Sequence, residues 1–233
     1  HTSMLEVLYE DNHIIAVNKK ISDIVQADKT GDQPLSEEVK AYIKKKYNKP
    51  GDVFLGVPHR IDRPVSGVVL FARTSKALTR LNKMFQEHDE EIQKTYWAIV
   101  GTLPPEDSGH LEHYMIRDSE KNKSYAYEKE KKGSKKAILE YKLIGRSQRY
   151  YLLEIKLLTG RHHQIRCQLA KIGCPIKGDL KYGFARSNEG GGISLHAREI
   201  TFRHPVSQEM VTINATPPLH DTLWKEFYNN LEE

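Results

Sequence analysis

Pro58-His59-Arg60-Ile61-Asp62-Arg63-Pro64-Val65-Ser66-Gly67 sets one acid between two arginines and runs straight into Val68-Val69-Leu70-Phe71-Ala72. The second segment is an unbroken apolar run of the kind a fully buried strand carries, and Ser66-Gly67 is a turn signal ahead of it. A polar loop therefore feeds the middle of a sheet, with Asp62 at its mouth. Taken singly, Asp62 reads as a salt-bridged turn residue; a carboxylate held ionised for a reaction is the other reading. An aspartate used as a covalent nucleophile needs ionisation, a desolvated pocket and a cation that orients it. Burial alone would protonate it, whereas an arginine stays charged and grips a carboxylate through two parallel hydrogen bonds. Arg161, at a predicted helix start and far from Asp62 in sequence, is the expected cation.

Working outward, Leu5–Tyr9 and His13–Asn18 read as a hairpin about Asp11-Asn12. Leu35, Val39, Ile43 and Tyr47 recur at helical spacing between Pro34 and Pro50-Gly51. A second helix starts at Ser75 with Leu78, Leu81 and Phe85 inward, and Thr95–Gly101 is β-branched and aromatic as strands are. Residues 117–136 are polar and lysine-rich and read as a mobile loop. Ile138–Ile144 and Tyr150–Leu158 form a second hairpin, and Thr159–Arg166 opens a short helix that Gly173 and Pro175 end. Strands near 195–202 and 210–215 precede a C-terminal helix from Pro218. Strands outnumber helices and neighbours pair as hairpins, so the expected class is α+β on a largely antiparallel central sheet flanked by helices and loops.

The chain has 233 residues, enough for one generous domain with a real core. Charged residues make 29% and hydrophobic ones 38%, a balance that excludes disorder and a helical membrane protein. Cys167 and Cys174 fit no metal spacing or disulfide framework and read as reduced thiols of a cytoplasmic protein. His1-Thr2-Ser3-Met4 reads as a vector-derived start, leaving 5–233 as a single domain. Net charge is only +5, but its distribution matters. Lys40, Lys44, Lys45 and Lys46 share one helix, Lys76, Arg80 and Lys83 another, and Lys129, Lys131, Lys132, Lys135 and Lys136 crowd one segment. Each cluster alone is a solvated face; three together make nucleic acid the leading partner class.

Walker, dinucleotide and nucleophile-elbow motifs are absent, and His162-His163 is adjacent rather than helically spaced, so no metal site is expected. Polar residues at strand-to-loop junctions remain: Arg60, Asp62, Tyr96, Arg161, Gln164, Arg166 and Asp179.

His59–Gly67 resembles the His-Arg-Leu-Asp-x-x-Thr-Ser-Gly signature of the RluA family of pseudouridine synthases. Lys94–Gly101 resembles its Lys-x-Tyr-x-Ala-x-Val-x-Gly strand, and Thr159–Arg166 its Thr-Gly-Arg-x-His-Gln-Ile-Arg segment. Gly178–Gly183, Leu195-His196-Ala197 and Phe202–Pro205 follow in the family's order. The resemblance implies the pseudouridine synthase fold with a central RNA-binding cleft. It also implies isomerisation of uridines in ribosomal or transfer RNA, without metal or organic cofactor. Under it, Asp62 is the nucleophile, on the ribose C1′ or on the uracil ring, or the base on the sugar; Tyr96 lies against the uracil, and Arg161 pairs with Asp62. Arg60 fills the space left by the flipped nucleotide, Leu195 packs near the base, and Gln164 and Arg166 join the substrate surface. The expected enzyme is a monomer acting on RNA, with no DNA or membrane partner. The chain departs from the family at Pro64-Val65, Gln168 and Asn18-Lys19-Lys20, and shows no S4-type module ahead of the domain. The competing reading is a non-catalytic RNA-binding protein or RNA chaperone; intact Asp62, Tyr96 and Arg161 argue against it.

Overall fold

All seven residues of the Ser66–Ala72 strand are buried, and the rest of the molecule is arranged around that fact. The computed structural model describes residues 4–87 and 90–232; of the expected vector-derived start at residues 1–4, the first three lie outside them. In chain order the elements are β1 (Val7–Glu10), β2 (Ile14–Lys19), α1 (Leu35–Lys46), β3 (Ser66–Ala72), α2 (Ser75–Glu87) and β4 (Ile92–Val100). Then come β5 (Ser108–Asp118), β6 (Lys123–Tyr127), β7 (Lys135–Arg146), β8 (Tyr151–Leu157), α3 (Gln164–Lys171), β9 (Leu195–Arg203), β10 (Met210–Asn214) and α4 (Thr222–Glu232). One mixed sheet runs β1-β2-β3-β9-β4-β8-β7-β5-β6, with β10 on β9. Its pairings are antiparallel except for a short parallel contact of β3 with β9. None of the helices described is long and apolar enough to cross a membrane.

That parallel contact depends on Gly67. Its φ is +125°, and a Cβ there would sit 2.4 Å from the backbone N and O of Ala197, so only glycine lets the two strands meet. Beside it, Ser66 Oγ donates to His196 Nδ1 at 2.7 Å, and His196 Nε2 donates to Ala215 O at 2.8 Å. Burial holds the His196 pKa down to about 4, so the imidazole is neutral in this chain of bonds.

Alternation along β4 divides the molecule. Trp97 and Ile99 face α4, packing with Leu152, Trp224 and Phe227. Lys94 and Tyr96 line a cavity on the other side. The helices follow their apolar spacing: Leu35, Val39 and Ile43 of α1 are buried, as are Ala77, Leu81, Met84 and Phe85 of α2.

The expected mobile loop at 117–136 is corrected. It holds the end of β5, all of β6 and the start of β7; β5 and β6 form a hairpin, and β7 pairs with the other edge of β5. Polar residues alternate there with Met115, Ser124, Ala126 and Ala137, which are buried against Cys167 and Tyr182. The lysines on this outermost strand pair also suit an edge that must not recruit another chain.

Candidate active site

A cavity of about 850 Å³ opens on the sheet face opposite α4, and Arg60, Asp62, Lys94, Tyr96, Arg166 and Leu195 are among the residues that line it. Asp62 sits in a tight turn: Val65 N donates to its carbonyl at 3.0 Å. The turn is held from three sides. Ser22 N reaches Arg63 O, Ile193 N reaches Pro64 O, and Lys19 Nζ donates to Arg63 O at 3.1 Å. Lys19 is buried on β2 and also donates to the carbonyls of Lys20 and Asp23. Burial lowers its pKa to about 7, with Asp23 and Asp62 pulling the other way. Arg63 turns outward instead, pairing with Asp28 and Asp32.

Asp62 keeps 36% of its side chain exposed to the cleft. Its Oδ2 is 3.5 Å from Arg166 Nη1 and 3.5 Å from His163 Nε2. Arg166 is itself fixed: Nε and Nη2 grip the buried Asp179 at 2.8 and 2.9 Å, and its guanidinium lies 5.1 Å over the Tyr182 ring. Burial works against that charge, but the hydrogen bonds and charge of Asp179 outweigh it and hold the guanidinium protonated. For Asp62 the balance falls the other way. Desolvation raises its pKa above the usual carboxylate range, and Arg166 and Lys19 only moderate the rise.

His163 enters α3 in a left-handed conformation, φ 55°, which carries its ring back toward Asp62. Tyr182 Oη accepts from Ser124 N at 2.9 Å and lies 2.8 Å from His163 Nδ1. Arg166 Nη1 donates to His163 Nε2 at 3.3 Å, which uses the lone pair of that nitrogen. Burial and Arg166 lower the His163 pKa to about 2, so the ring is neutral here. His162 stacks on it with centroids 3.7 Å apart and is held by Ser124 and Asn122. Tyr96, nearly buried, has its phenol pushed well above the ordinary range by burial and by Asp62. The ring is therefore neutral at physiological pH.

One expectation is corrected. Arg161 does not pair with Asp62: it is exposed on the rim, and its Nε donates to Lys136 O at 2.8 Å. Arg166, five residues on and inside α3, takes that place. It holds two carboxylates while lining the cavity. Gln164 also lines the cavity, and its amide is committed to Thr159 Oγ1, Arg161 N and Ile138 O, which pins the segment to β7. Arg60 and Leu195 do line the cavity, Arg60 at an exposed position. Sequence reasoning missed Lys19 as a member of the site. Asp179 was among the candidate polar residues, but its partner Arg166 was legible only from the fold.

Comparison with known proteins agrees with this geometry. The sequence profile of the family described as RNA pseudouridylate synthase matches residues 13–171. The tRNA pseudouridine synthase C of Pectobacterium carotovorum subsp. carotovorum is 30% identical over 231 residues; the match covers 91% of this chain and 59% of that longer protein. The tRNA pseudouridine synthase C of Vibrio vulnificus is 32% identical over 253 residues, covering 98% of this chain and 96% of the other. Among solved structures, human RNA Pseudouridylate Synthase Domain Containing 4 shares the fold, with a TM-score of 0.79 at 18% identity, over 96% of this chain and 93% of that one.

Proposed function

The chain belongs to the RNA pseudouridylate synthase family, and from that premise we propose that it converts uridine in transfer RNA to pseudouridine, with Asp62 as the reacting group. The observation that carries this reading is the pairing at the cleft floor: a part-exposed carboxylate 3.5 Å from an arginine whose other face is locked by a buried aspartate. A residue kept only for structure would be satisfied on both sides, as Asp179 is. Asp62 instead keeps an open face toward the cavity.

Reaching the glycosidic bond requires extruding the nucleotide from its stack, at a cost of a few kcal/mol. Arg60 and Arg161 on the rim and the lysines of the segment joining β6 to β7 supply phosphate contacts that offset it. Inside, the neutral Tyr96 ring offers a stacking face to the uracil, a contact worth about 1–3 kcal/mol, and Leu195 packs beside it. Asp62 acts at the ribose, as nucleophile on C1′ or as base, and the N-glycosidic bond breaks. The freed base turns, and its C5 forms the new bond to C1′, either displacing the Asp62 carboxylate or taking the sugar through return of the proton Asp62 had removed. The C5 proton then passes to solvent and N1 takes one up, so the product is an isomer and Asp62 is regenerated. Arg166 holds the carboxylate oriented through this sequence. The enzyme works as a cytoplasmic monomer, and RNA rather than DNA is its substrate.

Transfer RNA is favoured over ribosomal RNA because both of these relatives carry that substrate in their names. Mapping pseudouridine across RNA from cells with and without the gene tests this. Loss of one or a few transfer-RNA sites is expected; loss confined to ribosomal RNA would transfer the assignment there.

A further inference from the structure

Among the cations that line the cavity, Lys94 is one that nothing in the site accounts for. It and Lys19 are both drawn in from solvent, and they differ in one respect. Lys19 Nζ has three backbone carbonyls around it, at 2.9, 2.6 and 3.1 Å. The Lys94 ammonium has neither a hydrogen bond nor an ion pair among the described residues; it lies 5.8 Å over the Phe85 ring, which is itself stacked on His59 at 4.1 Å. Its neighbours across the sheet, Leu157 on β8 and Ile200 on β9, are apolar. Burial alone pulls its pKa down to about 8. Leaving an ammonium partly desolvated without an acceptor is unfavourable unless a ligand supplies one.

Position says what that ligand is. Lys94 and Tyr96 point from the same face of β4 into the same cavity, about 6.8 Å apart along the strand, roughly one nucleotide's length. We propose that Lys94 is a substrate-binding residue that holds an RNA backbone phosphate next to the nucleotide whose base lies on Tyr96. This rests on the reading of the cleft as an RNA site. An ammonium on a flexible stem suits a phosphate as a point charge, and the phosphate completes the coordination that Lys94 lacks. The other charged or titratable groups lining the cavity are Asp28, His59, Arg60, Asp62, Arg63, Tyr96, Arg117, Arg161, His162, His163, Arg166 and Lys181.

The test uses the full chain and unmodified transfer RNA transcribed in vitro, measuring affinity against salt and pH beside turnover. Lys94→Met should flatten the dependence of log affinity on log salt by about 0.7–0.9, one phosphate's worth, and weaken binding about four- to sixfold at 0.15 M salt. Raising the pH from 7 to 9.5 should weaken the parent by a similar factor as Lys94 loses its proton, and should spare Lys94→Met. Lys94→Arg, which stays charged, should bind like the parent at pH 7 without that loss. An unchanged salt slope in Lys94→Met, with turnover retained, would overturn the phosphate contact and leave the function standing. A reduced slope with no turnover by the parent would sink the enzyme reading and keep the contact.

Discussion

Arg166 and Arg161 lie on opposite sides of one boundary, the first inside the wall that α3 gives the cleft and the second on its rim. Arg166 is nearly inaccessible, bidentate to Asp179 and turned toward Asp62. Arg161 is exposed and makes a single bond to a backbone carbonyl. The wall is a chain of mutually dependent groups, Asp179, Arg166, Asp62, His163 and Tyr182, in which removing one leaves another unpaired. The rim is a set of separable charges that wait for a partner. Buried networks fix a geometry, and solvated charges tune affinity and its response to salt.

The sharpest break of that comparison is Arg166→Met against Arg161→Met. Removing Arg166 leaves Asp179 buried and uncompensated, so urea unfolding should register a loss of about 3–5 kcal/mol. Arg161→Met should stay within about 0.5 kcal/mol of the parent. Equal losses would mean that the wall and the rim are not energetically distinct.

A smaller effect separates two glycines. Gly67→Ala forces a Cβ into the Ala197 backbone, whereas Gly133, in the segment joining β6 to β7 at φ +80°, has nothing within 4 Å of an added Cβ. The first should cost about 3 kcal/mol and disrupt the site, the second only the left-handed strain of about 1–2 kcal/mol with turnover intact. Turnover lost in both would contradict the division.

On the rim, Arg161→Met should weaken RNA binding by a few-fold and lower the salt slope by about one phosphate contact. A slope unaffected by Arg161 would remove it from the RNA interface.

The mildest expected change is in stability, and its sign is informative. The folded-state pKa of Asp62 is raised, so the folded chain binds the Asp62 proton more tightly than the unfolded one. That contribution is present in full below the unfolded pKa and is lost as pH rises to the folded value. At neutral pH the ionised Asp62 is therefore a liability, and Asp62→Asn should raise Tm slightly. A clear drop in Tm would mean that Arg166 favours the ionised carboxylate more than burial disfavours it. In the same way, turnover by the parent should fall on acidification at a pH above the ordinary carboxylate range.

Much of this division was legible in the sequence, for reasons that vary by residue. The apolar run 68–72, the helical spacing of Leu35, Val39 and Ile43, and the ordered motifs around Asp62, Tyr96 and Leu195 gave the α+β sheet and the cleft floor. Which arginine meets Asp62 was not legible. α3 is buried from Gln164 to Leu169, so no polar stripe marks which of its residues points into the site. The β5–β6 hairpin escaped notice because its apolar side is short and its other side carries the lysines and acids of an edge. Lys19 was hidden by its type, since a lysine capping backbone carbonyls inside a protein has the same letter as one in solvent.

The most direct test of the central claim is tritium release from transfer RNA labelled at uridine C5, comparing the parent, Asp62→Asn and Arg161→Met. The account predicts release by the parent, most of it retained by Arg161→Met, and none by a folded, RNA-binding Asp62→Asn. Undiminished release by Asp62→Asn would contradict it.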